Sequence, residues 1–294
     1  MATVEIDPGA GFCFGVEKVI EMAESRLRRG ETVYGLGELV HNREEMERLH
    51  ALGLVTLTHS DLAGIGPGHL LFRAHGEPPA TYELAAAHHV EVIDGTCPIV
   101  LKLQERIRNT YRSMDHRKEQ VVIFGKPDHP ETIGLLGQVG GDAVVVTSPE
   151  EIVRVDRDRA VHLFSQTTMD PDLFREVENA LKDYLAVKKG GTGPAFRSSC
   201  TICSQMKKRK PGLAAFAQRH DVIVFVSGKN SSNGKMLFEY CRSLNRRSHW
   251  ISGPGEIEGK WFRGAGSIGI SGATSTSKEQ LESVSNHVNK ILSS

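Results

Sequence analysis

Along this chain, short runs of β-branched and aliphatic residues alternate with stretches of helical period. A loop rich in Gly, Pro, Ser or His separates each run from the stretch that follows. Val4-Glu5-Ile6 leads through Pro8 to Gly15 into a helix from Val16 to Leu27, whose Val16, Val19, Ile20, Ala23 and Leu27 share one apolar face. Leu70 to Phe72 precedes a loop over Arg73 to Pro79 and a second helix. Val90 to Ile93 precedes Asp94-Gly95-Thr96-Cys97-Pro98 and an amphipathic stretch from Ile99 to Ile107. Val121 to Phe124, Val161 to Phe164, Val222 to Val226 and Ile268 to Ile270 read as further strands. Asp170-Pro171 reads as an N-cap with proline at the first helical position, and Ser277 with Gln280 as a capping box for the last helix. Six or more such units predict an α/β protein with small, mostly parallel sheets. Its polar loops fall at strand C-termini and helix N-termini, where open parallel sheets build their sites.

The run Lys188-Lys189-Gly190-Gly191-Thr192-Gly193-Pro194 is the clearest linker, and a weaker boundary falls at Cys97. Together they predict three parts, 1–97, 98–195 and 196–294. Pro211 and Gly212 predict a helix break soon after Cys203.

Charge changes the picture chiefly by exclusion. In 294 residues, 36 Lys and Arg balance 36 Asp and Glu. That leaves no basic excess for a nucleic-acid backbone. The longest apolar runs, such as Val222 to Val226, fall far short of the roughly 20 residues a membrane helix needs. The start, with Glu5 and Asp7, has neither the cationic nor the apolar part of a signal peptide. The expectation is a soluble cytoplasmic protein with reduced thiols.

Five cysteines at wide spacing (Cys13, Cys97, Cys200, Cys203 and Cys241) argue against a disulfide framework. Cys13 and Cys97 each stand just before a helix, where the N-terminal partial charge favours the thiolate that ligates metal. The third candidate lies in Cys200-Thr201-Ile202-Cys203. Thiolates from separate α/β units suit iron–sulfur chemistry better than magnesium or calcium. The Cys200/Cys203 pair alternatively reads as a redox dithiol or half a zinc site. Cys241, in mid-helix, reads as a small buried hydrophobe. His41, His75 and His129 sit in compact loops, and Ser227 to Asn233 and Ser271 to Ser277 are polar turns. Neutral donors at helix N-termini can hold a diphosphate without an arginine cluster. No Walker A or dinucleotide fingerprint competes with that reading.

The motifs Gly11-Phe12-Cys13-Phe14-Gly15, Val40-His41-Asn42-Arg43, Ala74-His75-Gly76, Asp94-Gly95-Thr96-Cys97-Pro98, His129-Pro130-Glu131, Gln166-Thr167-Thr168, Thr201-Ile202-Cys203, Lys229-Asn230-Ser231-Ser232-Asn233 and the Ser275 loop occur in one order over residues 9 to 277. In that order they resemble the 4-hydroxy-3-methylbut-2-enyl diphosphate reductase family. The resemblance implies three α/β domains around a central [4Fe-4S] cluster, held by Cys13, Cys97 and Cys203 and leaving one iron open. It implies that His41, His75, His129, Ser231, Ser232, Asn233 and Ser275 bind the substrate's diphosphate. Glu131 would relay protons, with Thr167 beside the substrate hydroxyl. The implied reaction is a two-electron reductive dehydroxylation to isopentenyl and dimethylallyl diphosphate in the non-mevalonate pathway. The implied partners are the allylic diphosphate itself and a one-electron donor, ferredoxin or flavodoxin, drawn to the run Lys207 to Lys210. No nucleic-acid or membrane partner is expected, and the chain is expected to be a monomer or homodimer. Two other classes remain open on the residues alone: a thiol oxidoreductase using Cys200 and Cys203, and a non-catalytic diphosphate binder on the same scaffold.

Overall fold

In a computed structural model, which describes residues 2–186 and 194–293, strands alternate with α-helices or, at three places, with short 3-10 turns. The sequence-predicted linker therefore lies outside the described residues apart from Pro194. From the N-terminus come β1 (Thr3–Ile6), α1 (Phe14–Leu27), β2 (Val33–Leu36), α2 (Arg43–Ala51), β3 (Val55–Leu57), β4 (His69–Phe72), α3 (Pro79–Ala87) and β5 (Glu91–Asp94). Next are α4 (Pro98–Ser113), β6 (Glu119–Phe124), α5 (Pro130–Gly137), β7 (Val144–Val146), β8 (Ala160–Ser165), α6 (Pro171–Ala186) and β9 (Phe196–Ser198). Last come α7 (Ser204–Gln218), β10 (Val222–Val226), α8 (Ser232–Leu244), β11 (Ser248–Ile251), β12 (Ser267–Gly272) and α9 (Lys278–Ser293).

The strands make three four-stranded sheets: β1-β12-β10-β11, β7-β6-β8-β9, and a third built from β2 to β5. Two compact units emerge, one of Met1–Thr56 with Lys207–Ser294, the other of Leu57–Met206. In the first unit, β10 runs parallel to both β11 and β12, and β1 runs parallel to β12 with Thr3 opposite Ser267. All five residues of β10 are buried. Val222, Val224 and Val226 join one apolar cluster with Leu281 and Val284 of α9, while Ile223 and Phe225 join another with Leu213, Phe216 and Leu237. Burial on both faces is why this parallel strand reads as an unbroken apolar run. In the second unit β6 is parallel to β7 and β8, and β8 to β9. Val121 and Ile123 of β6 pack with Leu103 and Ile107 of α4 and Leu135 of α5.

Local signals set the helix starts well. Asp170 accepts the N–H of Asp172 at 2.8 Å, so the expected cap of α6 forms. Two expectations fail. Helix α7 runs straight through Pro211. Leu213, Phe216 and Ala217 are fully or almost fully buried in the core beyond it, and that packing outweighs a local cost of about 3 kcal/mol for an interior proline. The capping box of α9 forms only in half. Ser277 Oγ accepts the N–H of Gln280 at 3.1 Å, but the Gln280 amide donates to Ser252 O and Glu44 instead of returning to the cap. Cys241 is fully buried, and burial pushes its thiol pKa up, as expected of a packing residue.

Candidate active site

The expected site residues are divided between the two units. Cys13, His41, Ser231, Asn233 and Ser275 belong to the first, and His75, Cys97, His129, Glu131, Thr167 and Cys203 to the second. Ser232 is the first residue of α8, and its side chain lies outside the described residues. All five cysteines are described and none is in a disulfide.

Each of the three expected thiols stands at the start of a helix. Cys13 is the N-cap of α1, Cys97 is the N-cap of α4 with Pro98 at its first position, and Cys203 directly precedes α7. Cys203 Sγ accepts the N–H of Met206 at 3.4 Å. All three are partly buried, whereas Cys200 is exposed. The main chain at each cysteine is tied to a second polar loop. Cys13 N–H donates to Thr274 O at 3.3 Å, Cys97 N–H to Ala74 O at 3.0 Å, and Cys203 N–H to Thr167 O at 2.9 Å. Those acceptors are Thr167 itself and the residues just before Ser275 and His75.

In the first unit Ser231 caps α8, its Oγ accepting the N–H of Gly234 at 3.0 Å. Its hydroxyl proton is therefore left to point elsewhere, and Ser275 Oγ lies 3.4 Å away. Asn233 Nδ2 donates to Thr274 Oγ1 at 2.7 Å, and its buried Oδ1 has no hydrogen-bond partner among the described residues. His41 sits one residue before the cap of α2, with Nδ1 3.6 Å from Glu38. Lys229 turns away from this loop, bonded to Trp250 O and paired with Glu256.

In the second unit the rings of His75 and His129 meet edge to face at 5.1 Å. Two glycines let the main chain on either side of this pair pack closely against its neighbours. Gly76 has φ +74°, and a Cβ there would fall 2.7 Å from Gln104 Nε2, while one on Gly137 would fall 2.3 Å from Pro78 Cβ. His129 Nδ1 accepts the N–H of Glu131 at 3.1 Å, which caps α5 and leaves the ring proton of the neutral form on Nε2. Glu131 is 1% exposed. Its Oε1 accepts the Thr167 N–H at 2.6 Å and its Oε2 the Thr167 hydroxyl at 2.8 Å. Burial outweighs both bonds and pushes the carboxyl up to about 7.

Read from the sequence, Gln166 and Asn42 have no role of their own, and Arg209 counts in a basic run that would attract an electron donor. Gln166 Oε1 accepts from Lys126 N–H and from Thr132 Oγ1, while its amide donates to Thr168, so it locks the Glu131 loop to the Thr167 loop. Its place beside Thr167 in a quoted motif was the available signal. Asn42 likewise stands next to His41 in a motif. Arg209 is buried against Asp7, so of the run Lys207 to Lys210 only Lys207 and Lys208 are exposed, and Lys210 lies over the Tyr240 ring.

These observations define an α/β protein of three small parallel sheets whose sulfur, imidazole and hydroxyl groups gather where helices begin. The chain belongs to the LytB protein family, whose model matches residues 4–289. It is 46% identical over 292 residues to the 4-hydroxy-3-methylbut-2-enyl diphosphate reductase of Bacteroides thetaiotaomicron, covering 99% of each chain. It is 42% identical to the reductase of that name from Porphyromonas gingivalis, covering 99% of this chain and all of the other. Among solved structures, one of (E)-4-hydroxy-3-methyl-but-2-enyl diphosphate reductase, described as the terminal enzyme of the non-mevalonate pathway, matches 99% of this chain and all of its own. The TM-score is 0.74 and the identity 30%. The corresponding reductase from Plasmodium falciparum shares the fold at TM-score 0.83 and 22% identity, over 97% of this chain and 87% of its own. Among the described residues no helix is long and apolar enough to cross a membrane.

Proposed function

We propose that this chain is a 4-hydroxy-3-methylbut-2-enyl diphosphate reductase. The allylic alcohol takes up two electrons and two protons, one proton leaves with the hydroxyl as water and the other ends on carbon. The products are isopentenyl and dimethylallyl diphosphate. The observation that carries the reading is the buried Glu131–Thr167 pair, a carboxyl whose pKa burial pushes up to about 7 and which is hydrogen-bonded to a hydroxyl.

Cys13, Cys97 and Cys203 would hold a [4Fe-4S] cluster. An all-thiol set, each member at a helix N-terminus, fits such a group in donor chemistry and charge. When bound, the cluster supplies one-electron reduction and Lewis acidity at the iron that no cysteine holds.

The remaining work falls to the chain's own side chains. His41, Ser231, Ser232, Asn233, Ser275, His75 and His129 bind the diphosphate, His129 donating from Nε2. Glu131 holds its proton on Oε2, because Oε1 faces a backbone N–H that can only donate. The Thr167 hydroxyl donates to Oε2 while Glu131 is ionised; once Oε2 carries the proton that bond would reverse, Thr167 Oγ1 accepting and turning its own proton toward the substrate hydroxyl. Lys207 and Lys208 steer an acidic one-electron donor of the ferredoxin or flavodoxin kind.

The test is anaerobic purification with iron and sulfide analysis on single Cys→Ser variants. Loss of iron and of reductive turnover at residues 13, 97 and 203, and retention at 200 and 241, is the expected outcome. A colourless wild-type protein, or dependence on Cys200 in place of Cys203, would overturn it.

A further inference from the structure

Asn42 and Gln280 enter the sequence only as the neighbour of His41 and as the far half of a capping box. In the first unit they form one buried cross-brace, 3% and 7% exposed. Asn42 Oδ1 accepts the N–H of Glu45 and so caps α2. Asn42 Nδ2 donates to Ser275 O at 2.8 Å and to Gln280 Oε1 at 2.8 Å. Gln280 Nε2 donates to Ser252 O at 2.6 Å and to Glu44 Oε2 at 2.8 Å.

Both hydrogens and the oxygen of each amide are thereby used, so neither side chain can flip or shift without stranding a buried polar group. The brace ties the loop of His41 to the loop of Ser275 from far apart in the chain. A bond to the Ser275 carbonyl fixes the main chain at that residue, and with it the origin of the Ser275 hydroxyl. Gln280 gives up the reciprocal half of its capping box to do this.

We propose that Asn42 and Gln280 are positioning residues that hold the loops of His41 and Ser275 in register for the substrate's diphosphate. The proposal rests on the assignment of those two residues to the substrate's diphosphate. The brace touches neither the reacting carbon nor the thiols, so it governs affinity before it governs turnover.

The test uses the cluster-loaded enzyme and its variants Asn42→Ser, Gln280→Leu and the two combined. Substrate KM and kcat are measured, with binding of inorganic diphosphate by calorimetry and thermal midpoints alongside. Serine remains a good cap for α2 but is too short to reach Ser275. In each single variant KM and the dissociation constant for inorganic diphosphate are expected to rise roughly tenfold, with a smaller fall in kcat. The double variant is expected to be no worse than the weaker single, because either change opens the same brace. Unchanged KM and diphosphate affinity in both singles, or losses that merely follow the thermal midpoint and multiply in the double, would overturn the proposal while leaving the reductase reading intact. A loaded wild-type enzyme that neither binds inorganic diphosphate nor reduces the substrate would bring down the reading beneath it as well.

Discussion

The backbone N–H of Cys203 donates to the carbonyl of Thr167 at 2.9 Å. The thiol loop and the loop that carries the Glu131-contacting hydroxyl are thus joined by a main-chain hydrogen bond, and each function of Thr167 uses a different atom. Its carbonyl holds the thiol loop, its N–H holds Glu131 Oε1, and only its Oγ1 can pass a proton. Thr167→Val removes that last atom alone. It is expected to retain iron and sulfide in full while turnover falls about 10²- to 10⁴-fold, the range for loss of a proton-transfer group. Thr167→Ser is expected to recover most of the rate, and iron lost from the valine variant would refute the separation.

Glu131 carries a pH signature of definite sign. Its carboxyl is pushed up to about 7 by burial, so the catalytic, protonated form declines as pH rises through 7, and kcat is expected to decline with it. Stability moves in the same direction. The native state keeps a proton that the unfolded chain releases near 4.5, so stability is lost as pH rises from about 4.5 to about 7, by roughly 3 kcal/mol, and levels off above. Glu131→Gln is expected to be slow at every pH and to lack this slope. Urea unfolding across that window checks the second point, and a variant as sloped as wild type would refute the assignment.

The ion pair of Arg209 and Asp7 is buried on both sides, with Nη1 2.7 Å from Oδ2. Ser271 Oγ donates to the same carboxylate oxygen, and Arg209 also donates to Ser271 Oγ and Gly272 O. Removing one partner leaves a charge without compensation. Arg209→Met is expected to cost about 3–5 kcal/mol in chemical denaturation, and adding Asp7→Leu to restore much of it. A double variant no more stable than the single would show that packing, and not charge, is at stake.

Pro211 inside α7 has the opposite expectation. Proline there removes a helical N–H and crowds the carbonyl one turn earlier, so Pro211→Ala is expected to raise stability by about 1–3 kcal/mol. A rise of several degrees in the thermal midpoint is the measurement. A fall would mean that the ring itself fills space the helix needs.

Much of this was legible from local pattern. The strand Val222 to Val226, the cap at Asp170 and the helix starts at Cys13 and Cys97 are set by neighbours a few residues away, and periodicity and capping report such neighbours directly. The proline break failed because local propensity was outvoted by Leu213 and Phe216 entering the core. Half of the capping box failed because Gln280 had partners in other loops.

By itself the sequence determined the α/β alternation, the polar loops before helices and the identity of the thiols, imidazoles and hydroxyls within them. Those are properties of residue type and short spacing. Only the tertiary structure decided that β1 lies beside β12, that Arg209 is sunk against Asp7, that Asn42 reaches Ser275, and that Glu131 sits dry enough to keep its proton. Each of these depends on groups brought together from distant parts of the chain, and burial, hydrogen bonding and the pKa that follows are set by that surrounding and not by the residue alone.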